Sequence, residues 1–213
     1  MSSKQKKEEK ENIFEYKVIT IGDSKVGKTS IIKRFIDNKF YENTLPTLGI
    51  FNSQKKITLK NGEEIILKLV DTAGQERYSS LTKHYFRNAH AVLFVFSLDC
   101  TDSFNNLVKW INLFNEENPN QKKIVLYLIG NKKDLEKEVD EDKISFFLED
   151  NQQFCYKETS AKEEDNHINE LFEEIGEKVY EINKNCQKSD GRRLRLAEVK
   201  EKKNNCGLSK CLM

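Results

Sequence analysis

The chain has 213 residues, of which 37% are hydrophobic and 33% charged, and its formal net charge is +1. This length suffices for one domain with a substantial hydrophobic core and flexible ends. The balanced charge predicts no nucleic-acid partner, and the longest apolar run, residues 91–96, is far too short to span a membrane. The five cysteines have no metal-ligand spacing.

Charge and apolar content divide the chain into three parts. Residues 1–13 are rich in Lys and Glu, which predicts a disordered arm and not a signal peptide. Residues 14–183 are the predicted globular domain. Residues 184–213 are a predicted flexible tail with nine Lys or Arg against three Asp or Glu. A basic tail on a slightly acidic body favours contact with an anionic surface, such as a membrane.

Along the domain, the apolar pattern alternates between strand and helix. Residues 16–21 indicate a buried strand, followed by a glycine-rich loop and a helix over residues 29–36. Residues 57–59 and 65–70 flank Asn61-Gly62, which is typical of a hairpin turn. Two more strands are predicted at residues 91–96 and 124–129. Helical spacing between and after them is shown by Phe104, Leu107, Val108, Ile111 and Phe114, and by Ile168, Leu171, Phe172, Ile175 and Val179.

Strands that alternate with helices predict an α/β fold. We expect a doubly wound, mostly parallel six-stranded sheet with one antiparallel edge strand and about five helices. Ligands bind such sheets at the carboxyl ends of the strands. Each polar motif described below follows a strand, so these motifs are expected to meet at that edge.

The first motif is GDSKVGKT at residues 22–29, a full match to the P-loop pattern between a strand and a helix. Backbone N–H groups and the helix dipole would bind phosphate there. Lys28 would reach the β- and γ-phosphates, and Thr29 would offer its hydroxyl to Mg²⁺. The motif predicts a P-loop NTPase fold. The nucleotide-binding residues expected in it are Gly22, Asp23, Ser24, Lys25, Val26, Gly27, Lys28, Thr29 and Ser30.

The second motif is DTAGQE at residues 71–76, directly after a predicted strand. Asp71 can hold the hydration shell of Mg²⁺ beside the P-loop. Gly74 can bring its backbone N–H to a γ-phosphate, and Gln75 can orient an attacking water. A lone aspartate at a strand end would more simply be solvated, and the run that follows favours the functional interpretation.

The third motif is NKKD at residues 131–134, after the next strand. Guanine has two adjacent N–H donors on one edge and adenine does not, and the Asp134 carboxylate can only accept hydrogen bonds. A site built around those bonds rejects a base that lacks them. The motif, with Asn131, Lys132 and Asp134, therefore predicts selection of guanine.

A fourth segment, TSAK at residues 159–162, can close over the base through Ser160, Ala161 and Lys162. Its simpler interpretation is the N-cap of the last helix, and the two roles are compatible. In this order and spacing, the four segments resemble those of the Ras-superfamily GTPases over about residues 16–179.

Further segments resemble the Rab branch of that superfamily. They are residues 75–81, residues 85–89, and residues 102–104 together with Trp110. The chain departs from the Rab pattern at Val70, where Trp is usual, at residues 48–52 and at Ser97. Effector surfaces lie there in the family, so these departures bear on partner identity and not on nucleotide chemistry.

The resemblance implies roles for two loops. Phe40 would pack against the guanine ring, although ordinary core packing is the alternative. Thr47 would ligate Mg²⁺ only when the γ-phosphate is present, and residues 74–78 would form a second switch that is released with that phosphate. The expected catalytic residues are Lys28, Thr47, Gly74 and Gln75. The expected Mg²⁺ ligands are Thr29, Thr47 and Asp71.

The resemblance implies a GTP hydrolase with a low intrinsic rate, because no arginine lies in the motifs to stabilise transition-state charge. With GTP bound, it would recruit effectors to membranes in vesicle traffic. The first alternative is a guanine-nucleotide-bound scaffold that does not hydrolyse, which the presence of Lys28, Thr47 and Gln75 disfavours. The second is an ATP-using P-loop enzyme such as a small kinase, which the NKKD motif disfavours.

The resemblance also implies partners and a location. The expected partners are an exchange factor, a GTPase-activating protein, effectors, and a GDP-dissociation inhibitor or prenylation escort, with the chain itself a monomer. It would lie in the cytoplasm and on the cytosolic face of an endomembrane.

Lipidation is expected at Cys211 and Cys206, although neither fits a CaaX box; the alternative is a charged tail with unmodified thiols. One lipid gives only marginal binding, so a second lipid or the basic tail would have to contribute.

Overall fold

The computed structural model describes residues 13–42, 47, 49–72, 85–119 and 123–185. Its six strands are β1 (Phe14–Ile21), β2 (Ile50–Thr58), β3 (Glu64–Thr72), β4 (Ala91–Ser97), β5 (Val125–Asn131) and β6 (Phe154–Glu158). The helices of five or more residues in these ranges are α1 (Lys28–Asp37), α2 (Thr101–Asn105), α3 (Leu107–Glu117), α4 (Glu141–Asp150) and α5, which covers residues 167–185.

The six strands form one sheet in the order β2-β3-β1-β4-β5-β6. Strand β1 pairs in parallel with β3 and β4, β4 with β5, and β5 with β6. Only β2 is antiparallel among these strands, and it pairs with β3 across a turn in which Gly62 has a φ of 82°. The predicted doubly wound sheet with one antiparallel edge strand is confirmed.

Helices cover both faces of the sheet, so the central strands are buried on both sides, and every residue of β4 and β5 is buried. On one face α1 and α5 pack together, with the rings of Phe35 and Phe172 stacked at a centroid distance of 4.1 Å. On the other face α2, α3 and α4 contribute Phe104, Phe114 and Ile144 to a second cluster. The layers fix the carboxyl ends of β1, β3 and β5 at one edge.

Of the ten residues that helical spacing indicated in the sequence, eight are buried. All five residues predicted for the inner face of α5 are buried. The prediction for Val108 is wrong, because this side chain is 54% exposed. The inner face of α3 instead follows Leu107, Trp110 and Phe114, and Val108 lies about 100° around the helix from Leu107.

Strand β2 begins at Ile50, seven residues before the predicted strand, and it pairs with β3 along its whole length. Its side chains are mostly exposed because it is the edge strand, so it carries few apolar residues as a signal. The sequence analysis also did not locate α4 or β6. No helix within the described ranges combines the length and the apolar character needed to cross a membrane.

A polar network ties α5 to the sheet beneath it. The Glu174 carboxylate accepts a hydrogen bond from the Tyr127 hydroxyl at 2.9 Å and pairs with Lys178 at 2.8 Å and Lys157 at 3.0 Å. Burial alone would raise the pKa of Glu174, but these hydrogen bonds outweigh it and lower the pKa from 4.5 to about 2. The ionised carboxylate is therefore the form that the fold stabilises.

Replacing Glu174 with Gln is expected to lower the free energy of unfolding at neutral pH by about 1 kcal/mol, since the side chain is 35% exposed and its ion pairs are partly screened. The folded-state pKa lies below the unfolded one, so the stabilisation is complete above pH 4.5 and is lost as the pH falls towards 2. Urea unfolding of both proteins between about pH 6 and about pH 3 should show the difference shrinking. A pH-independent difference, or an equal loss in the exposed neighbour variant Glu173→Gln, would contradict this assignment.

Candidate nucleotide-binding site

A cavity of about 500 Å³ lies where β1, β3 and β5 end. It brings together most of the residues that the motifs predicted. Those that line it are Ser24, Lys25, Gly27, Lys28, Thr29, Ser30, Phe40, Thr47, Asn131, Lys132, Asp134, Ala161 and Lys162. Four lining residues were not predicted from the sequence: Tyr41, Glu42, Thr72 and Leu135.

Several predicted residues do not line the cavity but support it. These are Gly22, Asp23, Val26, Asp71 and Ser160, whose contacts are described below. Gly74 and Gln75 of the second motif lie outside the described residues, as do Cys206 and Cys211. Their assigned roles therefore stay predictions.

The P-loop surrounds the ammonium group of Lys28. This group donates hydrogen bonds to the carbonyl oxygens of Gly22 at 2.9 Å and Asp23 at 2.7 Å, and the residue is 5% exposed. Burial lowers the pKa of Lys28 to about 8, although Asp71 and Asp23 act in the opposite direction. Gly22 allows the loop to pass close to β4, because a Cβ at this position would lie 2.0 Å from the carbonyl oxygen of Val95. The result is a buried positive charge at the N-terminus of helix α1, where the helix dipole also favours an anion.

The carboxylate of Asp23 turns away from the cavity towards α3. It accepts hydrogen bonds from the side-chain amide of Asn106 at 2.8 Å and from the indole N–H of Trp110 at 2.7 Å. No local sequence pattern indicates this contact, because the residues are more than eighty positions apart. Asp23 therefore anchors the P-loop to the neighbouring helix.

Three oxygen-bearing side chains meet beside Lys28, each from a different segment. The Thr29 hydroxyl donates to Asp71 Oδ2 at 2.6 Å, and its oxygen lies 2.8 Å from the Thr47 hydroxyl. Burial raises the pKa of the Asp71 carboxyl, while the hydrogen bond from Thr29 and the charge of Lys28 act against that rise. Carboxylate and hydroxyl oxygens are hard ligands, so this set fits Mg²⁺. Within the described ranges there is no group of three or more His, Cys, Asp or Glu residues suited to a metal ion.

Asn131 joins the P-loop to the third and fourth motifs. Its amide nitrogen donates to the carbonyl oxygen of Val26 at 2.8 Å, and its amide oxygen accepts a hydrogen bond from Thr159 at 3.2 Å. The residue is 1% exposed, and a Cβ at Gly27 would lie only 2.1 Å from its amide nitrogen. Asn131 therefore holds the phosphate and base ends of the cavity together.

Asp134 is exposed at the far end of the cavity and is held from behind by Ser160. The Ser160 hydroxyl donates to Asp134 Oδ1 at 2.5 Å and accepts hydrogen bonds from the backbone N–H groups of Lys162 and Glu163, each at 3.1 Å. The alternative that this segment caps the last helix is wrong, because α5 begins only at residue 167. Ser160 instead forms a local turn that orients Asp134.

The position of Phe40 is compatible with both interpretations given for it, and its contact with a guanine ring stays a prediction. Its half-buried ring packs against the core cluster that contains α1 and α5, and it also forms part of the cavity wall. Leu135, which is 43% exposed, lies next to Asp134 in the same wall. The sequence indicates this residue only as an apolar position directly after the NKKD motif.

Comparisons with known proteins agree with this geometry. The chain matches the model of the Ras family over residues 17–181. Human Ras-related protein Rab-30 is 37% identical over 161 residues, which cover 75% of this chain and 77% of that protein. Ras-related protein RabC of Dictyostelium discoideum is 33% identical over 198 residues, which cover 90% of this chain and 97% of that protein.

A longer relative also matches. The mouse Ras and EF-hand domain-containing protein homolog is 34% identical over 204 residues, which cover 92% of this chain but only 31% of that protein. The chain thus spans about a third of that relative's length, so the similarity concerns that part alone. Because the Ras family model covers residues 17–181, and two Rab proteins are 37% and 33% identical to the chain over 77% and 97% of their own length, the chain belongs to the Ras family and is a Rab-like small GTPase.

Proposed function

We propose that the protein binds GTP and GDP with Mg²⁺ in this cavity, hydrolyses GTP slowly, and acts as a switch that recruits effectors to membranes in vesicle traffic. One observation carries the proposal. A single cavity holds the buried Lys28 ammonium and the Thr29 hydroxyl at one end and Asp134 at the other. That arrangement suits one ligand with a polyphosphate at one end and a base with adjacent N–H donors at the other.

At the phosphate end, Lys28 and the backbone N–H groups of the P-loop bind the anionic oxygens. The Lys28 ammonium donates to two backbone carbonyl oxygens, and a phosphate oxygen would place a further negative charge beside it. Thr29, Thr47 and Asp71 would hold Mg²⁺, which when bound neutralises phosphate charge. Thr47 and Gly74 would respond to the γ-phosphate and so report which nucleotide is bound.

At the base end, Asp134 accepts hydrogen bonds from the two guanine N–H groups, and Ser160 fixes its orientation. Phe40 and Leu135 supply apolar walls for the ring. An adenine base would leave the Asp134 carboxylate in the site without a hydrogen-bond donor, and the resulting loss of free energy would disfavour adenine binding. The site therefore favours guanine nucleotides.

Hydrolysis is proposed to be slow in the protein alone. Gln75 would orient the attacking water, and no arginine lies among the described residues that line the cavity. A GTPase-activating partner that supplies an arginine would raise the rate by roughly 10³–10⁵. The role in membrane traffic follows the Rab relatives, and lipidation of Cys206 and Cys211 is the proposed means of attachment.

The first test of nucleotide binding is to denature the freshly purified protein and identify the nucleotide that it releases. Release of stoichiometric GDP or GTP is the expected result, and an adenine nucleotide would overturn the assignment to Asp134. A protein that contains no nucleotide and cannot be loaded with GDP in Mg²⁺ would remove the proposed function altogether.

Replacing Gln75 with Ala is expected to lower the single-turnover rate of GTP hydrolysis by at least about tenfold while leaving GDP affinity unchanged, because the side chain would act on water and not on the nucleotide. The rate is measured on protein preloaded with GTP in Mg²⁺. Equal rates in the two proteins, both indistinguishable from free GTP, would favour the alternative of a scaffold that does not hydrolyse.

Chelation of Mg²⁺ by EDTA is expected to speed GDP dissociation by roughly 10²-fold, because the charge on the phosphates then lacks its main counter-ion. Asp71→Asn should give a protein that already releases GDP quickly and responds less to EDTA, since it has lost the carboxylate beside Thr29. Stopped-flow release of a fluorescent GDP measures both rates. Glu42→Gln, a neutralised carboxylate in the same cavity wall, is the matched control and should keep the full EDTA response.

A further inference from the structure

Arg34 is a buried arginine to which the motifs assign no role. It lies in the last turn of α1 and is 3% exposed, whereas charged side chains are seldom fully buried unless paired. Among the residues that the structure describes, no carboxylate forms an ion pair with it. A buried cation of this kind must be stabilised by other acceptors.

Backbone carbonyl oxygens provide that stabilisation. Arg34 donates from Nε to the carbonyl oxygen of Ala161 at 2.9 Å and from Nη2 to that of Lys162 at 3.0 Å. Its remaining terminal nitrogen donates to the carbonyl oxygen of Asn38 at 3.0 Å, just beyond the end of its own helix. The guanidinium therefore joins the end of α1 to the fourth motif, 127 residues away in the sequence.

These two carbonyls lie in the segment that orients the base-recognition group. Ala161 and Lys162 line the cavity, and the adjacent Ser160 donates to Asp134. Helix α1 begins at Lys28, beside the phosphate site, and Arg34 lies about 9 Å further along it. The same helix thus holds the proposed phosphate-binding residue Lys28 at its start and, near its end, Arg34, which is bonded to the fourth motif.

The planar fork of arginine is what this contact requires. Its nitrogens point to two successive carbonyls at once, whereas a lysine ammonium is a single point charge on a flexible stem. Lysine can keep the positive charge near the helix C-terminus, which the helix dipole favours, but it cannot hold both carbonyls in the same geometry. The two residue types are therefore not equivalent at this position.

We propose that Arg34 is a positioning residue for guanine-nucleotide affinity, which fixes residues 160–162 so that Asp134 faces the base. It does not touch the nucleotide itself. The proposal rests on the proposed function, because it concerns how long the guanine nucleotide stays bound in this cavity.

The experiment measures dissociation of GDP labelled on its ribose, with Mg²⁺ present, from the full chain. Four proteins form a double-mutant cycle: wild type, Arg34→Lys, Ser160→Ala and the double variant. Arg34→Lys is expected to raise the dissociation rate about tenfold, equivalent to about 1.4 kcal/mol. In the double variant the increase should be at least about threefold smaller than the product of the two single effects, since both act through one segment.

A merely structural role for Arg34 predicts a different result. General loosening of the fold would make the two effects multiply, and either multiplication or a wild-type rate in Arg34→Lys would overturn the proposal. Arg34→Gln, which keeps some donors but no charge, provides a second variant for the same cycle. Arg87→Lys is the matched control, because Arg87 is an exposed arginine that is paired with Glu117. GDP should dissociate from this variant at the wild-type rate.

The same measurements separate this proposal from the proposed function. A wild-type protein that does not retain GDP would contradict the function itself. A wild-type protein that retains GDP, with Arg34 variants that retain it equally, would contradict only the role of Arg34.

Discussion

Replacing Asp134 with Asn is expected to lower the affinity for GDP by roughly 10²–10⁴-fold, because hydrogen bonds to a charged acceptor are lost and an N–H donor then faces guanine donors. The same change should improve binding of xanthosine diphosphate. Xanthine has a carbonyl where guanine has the exocyclic amine, so the Asn amide can donate there. Competition of both nucleotides against a fluorescent GDP measures this reversal.

The reversal distinguishes base recognition from loss of fold. A damaged protein would bind both nucleotides poorly, whereas a changed acceptor should exchange one preference for another. Glu136→Gln neutralises an exposed carboxylate two positions away and should leave both affinities as in wild type. If Asp134→Asn retains the wild-type preference for GDP, Asp134 is not the group that reads the base.

The sequence predicted most of the residues that line the cavity, but not the contacts that hold those residues in place. The P-loop, Asp71 and the NKKD motif are local patterns in which spacing and neighbours carry the information, and they were recognisable without the fold. Their convergence followed from the rule that parallel strands present their carboxyl ends at one edge. The parallel pairing of β1 with β3 shows this, because Thr20, near the carboxyl end of β1, lies opposite Asp71, near the carboxyl end of β3.

The supporting contacts could not be read from local patterns. Asp23 with Trp110, Asn131 with Val26, and Arg34 with Ala161 each join segments that are far apart in the sequence. A side chain in such a contact has no partner at helical or strand spacing, so periodicity contains no trace of it. These contacts depend on the packing of α1 and α3 around the P-loop and on the position of the fourth motif.

The errors in the fold have similar causes. Val108 fits a helical pattern that includes Phe104, but α2 and α3 are separate helices that meet at Asn106, so the pattern does not continue with one phase. Most of the edge strand β2 was not predicted, because its largely exposed side chains are polar on both faces and so show no apolar/polar alternation. In both cases tertiary packing decided what local pattern could not.

The junction of the P-loop with the base motif is the point where a small change should have a large effect. Gly27 has a φ of 97°, a backbone conformation that strains any residue with a side chain. A Cβ there would lie 2.1 Å from the amide nitrogen of Asn131. This side chain cannot easily move away, because its nitrogen donates to the Val26 carbonyl oxygen and its oxygen accepts a hydrogen bond from Thr159. Gly27→Ala should therefore strain the loop and also break the link between the two ends of the cavity.

The expected result for Gly27→Ala is a loss of GDP affinity of roughly 10²-fold or more, since backbone strain and a broken buried hydrogen bond each cost about 1–3 kcal/mol. Gly62→Ala is the matched control, because its φ of 82° gives similar strain but nothing lies within 4 Å of the added Cβ. It should lower the free energy of unfolding in urea while keeping the wild-type affinity for GDP. If both variants lose affinity equally, a general loss of stability explains the effect; if only Gly27→Ala does, the loss arises locally, in the P-loop and at its contact with Asn131.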